Sequence, residues 1–115
     1  MSINCVFVAG AGLMGHGIAQ VHAAAGARVS LYEPDLARAL AGRDRIAANL
    51  ERAVAKGKLD AVARDAVLAH ITPVADVGAA ADADLVVEAV FEDEAVKTAL
   101  WASIDAVAQA SAIFA

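Results

Sequence analysis

Gly10, Gly12 and Gly15, set out as Gly-Ala-Gly-Leu-Met-Gly, are the residues of this chain best suited to hold a phosphate. Gly10 permits a tight turn, and Gly12 has no Cβ, so a pyrophosphate can approach its backbone. Gly15 lets a following helix pack close to a sheet. The start of that helix offers unpaired N–H groups and the positive end of its dipole. Glu33 stands 23 positions after Gly10 (33 − 10). A carboxylate there accepts hydrogen bonds from ribose hydroxyls and repels a 2′-phosphate, so the chemistry expected is NAD binding rather than NADP binding. The plainer reading is that the glycines only make a tight turn. It is weakened by what flanks them, an apolar run before and an acid after.

These residues need elements to place them, and the pattern alternates strand and helix. That alternation predicts an α/β fold, a parallel sheet with helices on both faces. Strands are expected over 3–9, 28–33, 71–74, 84–90 and 112–115, and helices over 13–25, 35–56, 60–70 and 94–109. Residues 76–83 read as a turn or short helix. Gly26 and Gly57 suit helix ends, and Asp60 and Asp93 suit helix starts. In the long second helix, Leu36, Leu40, Ala47, Leu50 and Val54 share one arc and form the expected buried face. Arg38, Arg45, Arg52 and Lys56 lie opposite, with Asn49 beside them. Seven of the nine basic residues fall between Arg38 and Arg64. That stripe reads either as a solvated face or as a site for a phosphate-bearing substrate.

The loop after the fourth strand, with Ala89, Val90 and Glu92, is expected near the nicotinamide, because ligands sit beyond the carboxyl ends of parallel strands. Lys97 follows one turn later; by spacing alone it pairs with Asp93 on a helix surface. His16 reads as an exposed first-turn residue, His22 as surface or packing, and His70 as a helix-terminal cation. None has an acidic partner at a telling spacing, so no catalytic residue is assigned. No Cys/His cluster suggests a metal site. Cys5 reads as a small buried hydrophobe without a disulfide partner.

The 115 residues suit one domain, 1–115. Hydrophobic residues make up 60%, inflated by 32 alanines, and no apolar stretch reaches about 18 residues, so no membrane span is expected. A net charge of −5 argues against nucleic acid as a partner. No basic, apolar leader is visible, and a cytoplasmic setting is expected. The last strand stops at Ala115, which reads as a cut within a larger protein.

Val8-Ala-Gly-Ala-Gly-Leu-Met-Gly-His-Gly-Ile-Ala-Gln20 and Leu85-Val-Val-Glu-Ala-Val-Phe-Glu-Asp-Glu-Ala-Val-Lys97 together resemble the L-3-hydroxyacyl-CoA dehydrogenase family, over essentially the whole chain. The resemblance implies a Rossmann-type NAD-binding domain, with the loop Gly12, Leu13, Met14, Gly15 and Gly17 around the pyrophosphate. It implies Glu33 on the adenosine ribose, and Glu92 and Lys97 towards cofactor ribose and nicotinamide. It places Lys56 and Asn49 against the coenzyme A of an acyl-CoA substrate. It further implies a later Ser-Asn-Thr-Ser segment, a catalytic His–Glu pair and a helical domain that forms a homodimer, so the 115 residues alone are expected to bind NAD without catalysing. The competing readings are an NAD-dependent dehydrogenase of a sugar acid or other small hydroxy acid, FAD binding, and a non-catalytic nucleotide-binding module.

Overall fold

A computed structural model of the chain describes residues 3–89, 94–109 and 112–114; of these, the side chains of residues 13, 14, 94–97 and 114 are not described. Among the described residues, five parallel strands form one sheet: β1 (Cys5–Ala9), β2 (Arg28–Tyr32), β3 (Ile71–Val74), β4 (Leu85–Glu88) and β5 (Ile113–Phe114). Their spatial order is β3-β2-β1-β4-β5. The chain starts in the middle, winds outward to β3, then crosses to the other side, which creates a switch point between β1 and β4. The helices are α1 (Leu13–Ala24), α2 (Leu36–Ala55), α3 (Ala61–Ala69) and α4 (Glu94–Val107), with a 3-10 helix over Val77–Asp82.

The alternation of β1 explains why both faces of the sheet are covered. Val6 and Val8 enter one core with Ala19 and Ala23 of α1, Ile46 and Leu50 of α2, and Val67 of α3. Phe7 and Ala9 enter the other, with Val86 of β4 and Ile104 of α4. A central strand buried on both sides must be apolar throughout, as this one is. Each strand is a residue or more shorter than expected except β3, and each helix lies within one or two residues of its predicted span. Asp35 and Asp60 cap α2 and α3, accepting hydrogen bonds from the N–H groups of Ala37 (2.9 Å) and Ala63 (2.7 Å). The expected Asp93 cap lies outside the described residues.

The buried face of α2 differs from the one read from periodicity. Ala39, Gly42, Ile46 and Leu50 are buried, while Leu36 and Leu40 are each 46% exposed and Ala47 and Val54 are half-buried. The face is turned by roughly 80° at 100° per residue. The reason is tertiary: Gly42 presses on the turn after β1, and Arg43 reaches the end of α3. Its Nε donates to the Ile71 carbonyl (3.1 Å) and its Nη2 to the Leu68 carbonyl (2.9 Å). Cys5 is half-buried rather than in the core, because β1 begins there and the Arg28 guanidinium donates to its Sγ (2.9 Å).

A dinucleotide-shaped turn at the carboxyl edge of the sheet

Three loops meet beyond the carboxyl ends of β1, β2 and β4. Gly10 leaves β1 with φ 112°, a conformation that favours glycine, and its N–H donates to the Tyr32 carbonyl (2.8 Å). Ala11 is buried, and its N–H donates to Glu33 Oε2 at 2.7 Å. Glu33 therefore does more than stand near the turn: it fixes the turn's height above the sheet. Ala89, after β4, donates its N–H to the Ala9 carbonyl (2.8 Å), which brings the third loop alongside.

The glycines differ in what surrounds them. A Cβ at Gly15 would lie 1.7 Å from the Gly10 carbonyl oxygen and 3.5 Å from the Ala89 Cβ, so this glycine serves helix–strand packing. A Cβ at Gly12 or Gly17 would meet nothing within 4 Å. Gly12 is exposed and is the N-cap of α1, with no side-chain cap hydrogen bond and no acidic residue in the first turn. The helix start therefore presents N–H groups and open space together, which fits an anion and in particular the pyrophosphate of a dinucleotide.

Around this turn the electrostatics are set by a few groups. Tyr32 stacks on Phe7, with ring centroids 5.4 Å apart. Burial first, then the carboxylates of Glu33 and Asp76, push the Tyr32 hydroxyl's pKa up. His16 is buried, against the expectation of an exposed residue. Its Nδ1 lies 2.8 Å from the Gly12 carbonyl; a carbonyl only accepts, so Nδ1 carries the proton. The ring thus folds back on the turn it follows.

The remaining candidates are placed as follows. Val90 and Glu92 lie outside the described residues, as do the side chains of Leu13, Met14 and Lys97. Lys56 is exposed at the C-cap of α2, far along the helix from Glu33. Asn49 is half-buried; its Nδ2 donates to Gln20 Oε1 on α1 (3.4 Å) and its Oδ1 accepts from Arg52. Arg38, Arg45 and Arg52 are exposed. Sequence reasoning missed Gly42, which backs Ala11. The available signal was a glycine inside a long helix, a costly placement without a packing reason. Among the described residues no group of three or more His, Cys, Asp or Glu is placed to hold a metal ion, and no helix is long and apolar enough to cross a membrane.

A parallel sheet with an open glycine turn at its switch point, and a carboxylate tied to that turn, defines a dinucleotide-binding α/β domain. Residues 5–115 match the family model for the 3-hydroxyacyl-CoA dehydrogenase NAD binding domain. The chain is 48% identical over 106 residues to a 3-hydroxybutyryl-CoA dehydrogenase of Mycobacterium tuberculosis, covering 92% of this chain and 37% of that protein. The crystal structure of M. tuberculosis FadB2 superposes with a TM-score of 0.95 at 45% identity, covering 99% of this chain and 40% of the other. That of (S)-3-hydroxybutyryl-CoA dehydrogenase PaaH1 from Ralstonia eutropha gives 0.94 at 31% identity, covering 98% and 40%. The chain belongs to the 3-hydroxyacyl-CoA dehydrogenase family and is its NAD-binding domain. It spans a little over a third of the length of the M. tuberculosis relative.

Proposed function

We propose that this domain serves an oxidoreductase that transfers hydride from C3 of a 3-hydroxyacyl-CoA to NAD+, giving the 3-ketoacyl-CoA, within fatty acid β-oxidation in the cytoplasm. Gly10, Gly12, Leu13, Met14, Gly15 and Gly17 hold the pyrophosphate, and Glu33 holds the adenosine ribose. Ala89, Val90, Glu92 and Lys97 are assigned to the nicotinamide half on the resemblance to the family. NAD supplies the hydride acceptor when bound. The hydroxyl proton goes to a base from another part of the enzyme: His16 is turned onto Gly12, and His70 ends α3 with its Nδ1 on the Ala66 carbonyl (2.7 Å). The enzyme works as a homodimer.

The observation that carries the substrate class is the exposed basic face of α2, in a chain that is acidic overall. Its 20 residues run about 30 Å, from just after Glu33 to Lys56. A coenzyme A thioester carries phosphates for such a face to bind, whereas a small hydroxy acid carries none. Lys56 and, through its amide, Asn49 then meet the coenzyme. The test follows NADH formation by the enzyme expressed from its natural reading frame. We expect turnover with 3-hydroxybutyryl-CoA or a longer homologue and none with the free hydroxy acids. Comparable turnover of a sugar acid overturns the assignment.

A further inference from the structure

We propose that Gly42 is a positioning residue for the dinucleotide: lacking a Cβ, it lets α2 bear directly on Ala11 and so sets where the pyrophosphate turn stands. A Cβ at Gly42 would lie 2.7 Å from the Ala11 Cβ, 2.8 Å from the Ala11 carbonyl oxygen and 3.1 Å from Leu31 Cδ2. Two of these three atoms belong to the turn itself, and one is backbone that cannot rotate away. From the other side, Glu33 Oε2 accepts the Ala11 N–H at 2.7 Å. Ala11 is thus clamped between the end of β2 and the side of α2, and the next residue is Gly12, which faces open space. A glycine inside a helix is ordinarily a poor choice beside alanine. Here alanine stands close by, at Ala39, Ala41, Ala47 and Ala48, and only position 42 is a glycine.

An alanine at 42 must push either α2 off the sheet or the turn outward. Ala39 and Ile46, both fully buried, flank the contact and anchor α2 in a close-packed core that yields little. Ala11 is buried too, but the turn runs straight on into exposed Gly12 with open space beside it, so the turn is the side that gives, and it carries the N–H groups of the α1 terminus away from the phosphates.

The inference rests on the assignment of NAD to this turn, and the experiment separates the two. NAD is titrated calorimetrically into the wild-type chain, Gly42→Ala, Ala11→Gly and the double variant, with far-UV circular dichroism and melting curves on each. A folded wild-type chain that does not take NAD overturns the cofactor assignment. Gly42→Ala is expected to weaken NAD about tenfold or more with native circular dichroism. The same substitution should cost several-fold less in the Ala11→Gly background, where one contact is gone and the turn can relax. NAD affinity within about twofold of wild type in Gly42→Ala, or equal losses in both backgrounds, overturns the role of Gly42. If Gly42→Ala fails to fold but the double variant folds and binds NAD, the contact with Ala11 is upheld. If both fail to fold, the glycine serves the core and not the turn, and the proposal falls.

Discussion

At the scale of the residue, two glycines of the motif answer to different physics, and two substitutions separate them. Gly12→Val puts its side chain into open space, so the melting temperature should stay near wild type while NAD binding is lost. Gly15→Ala drives a Cβ into the Gly10 carbonyl oxygen. Overpacking of that kind should cost about 1–3 kcal/mol of stability or more, read from denaturant unfolding. Glu33 accepts the Ala11 N–H, and its proposed role on the ribose would give the same carboxylate a second task. Glu33→Ala should weaken NAD by about 1.5–3 kcal/mol for each charge-assisted hydrogen bond lost. Wild type should prefer NAD to NADP in calorimetric titration, and equal or tighter NADP binding would contradict the role of this carboxylate. His16 shows how far a local reading reaches. Position in the first turn of α1 is consistent with exposure, and only the fold-back onto the Gly12 carbonyl makes the ring a buried one.

At the scale of the element, α2 carries the largest correction. Its apolar residues fall into two neighbouring arcs, and periodicity favours the leucine-rich one. The contacts of Gly42 with Ala11 and of Arg43 with α3 choose the other. Ile46→Ala should therefore cost about 2–5 kcal/mol, whereas Leu40→Ala, at a half-exposed site, should cost about 1 kcal/mol; urea unfolding of both variants measures the difference. At the opposite edge of the sheet, Asp84 ties the start of β1 to β4. Its Oδ2 accepts the N–H groups of Asn4 (2.9 Å) and Cys5 (3.0 Å). These backbone bonds, the Asn4 one first, hold its pKa below the ordinary 3.8, with a smaller contribution from Arg28. A carboxylate depressed in the folded state stabilises the fold above its unfolded pKa and loses that contribution as pH falls through the folded value. Acid unfolding below about pH 4 should thus be shallower in Asp84→Asn, which is less stable than wild type at neutral pH. Identical acid limbs would show that this latch carries no pH dependence.

At the scale of the whole molecule, charge is divided rather than mixed. The chain is acidic overall, yet one face of α2 is a basic stripe ending at Lys56, about 30 Å from Glu33 at the other end of the helix. The proposed cofactor and substrate contacts would thus lie apart, so they should be separable by mutation. Lys56→Ala in the enzyme should raise KM for acyl-CoA by roughly fivefold, the loss of one exposed charged contact worth about 1 kcal/mol, with NAD affinity unchanged. The KM for acyl-CoA should also rise with ionic strength, and that rise should shrink in the variant. Parallel losses for both ligands would place the effect of Lys56 in folding rather than recognition.

Local order along the chain was enough to determine the strand–turn–helix sequence, the parallel sheet, the glycine turn and the acid that follows β2. The elements and the turn depend on residues within a few positions of one another, where period, caps and turn chemistry act directly, and the parallel sheet follows from the alternation of those elements. The same holds for the ends of α2 and α3, because Asp35, Gly57 and Asp60 act on their own neighbours. Tertiary structure alone decided which arc of α2 is buried, that Gly42 sets the turn through Ala11, and that Asn49 meets Gln20 across helices. These contacts join residues distant in sequence, and close packing resolves choices that periodicity leaves nearly balanced. The family's motifs were visible in order, but the clamp that gives the first of them its shape exists only once α2 has docked.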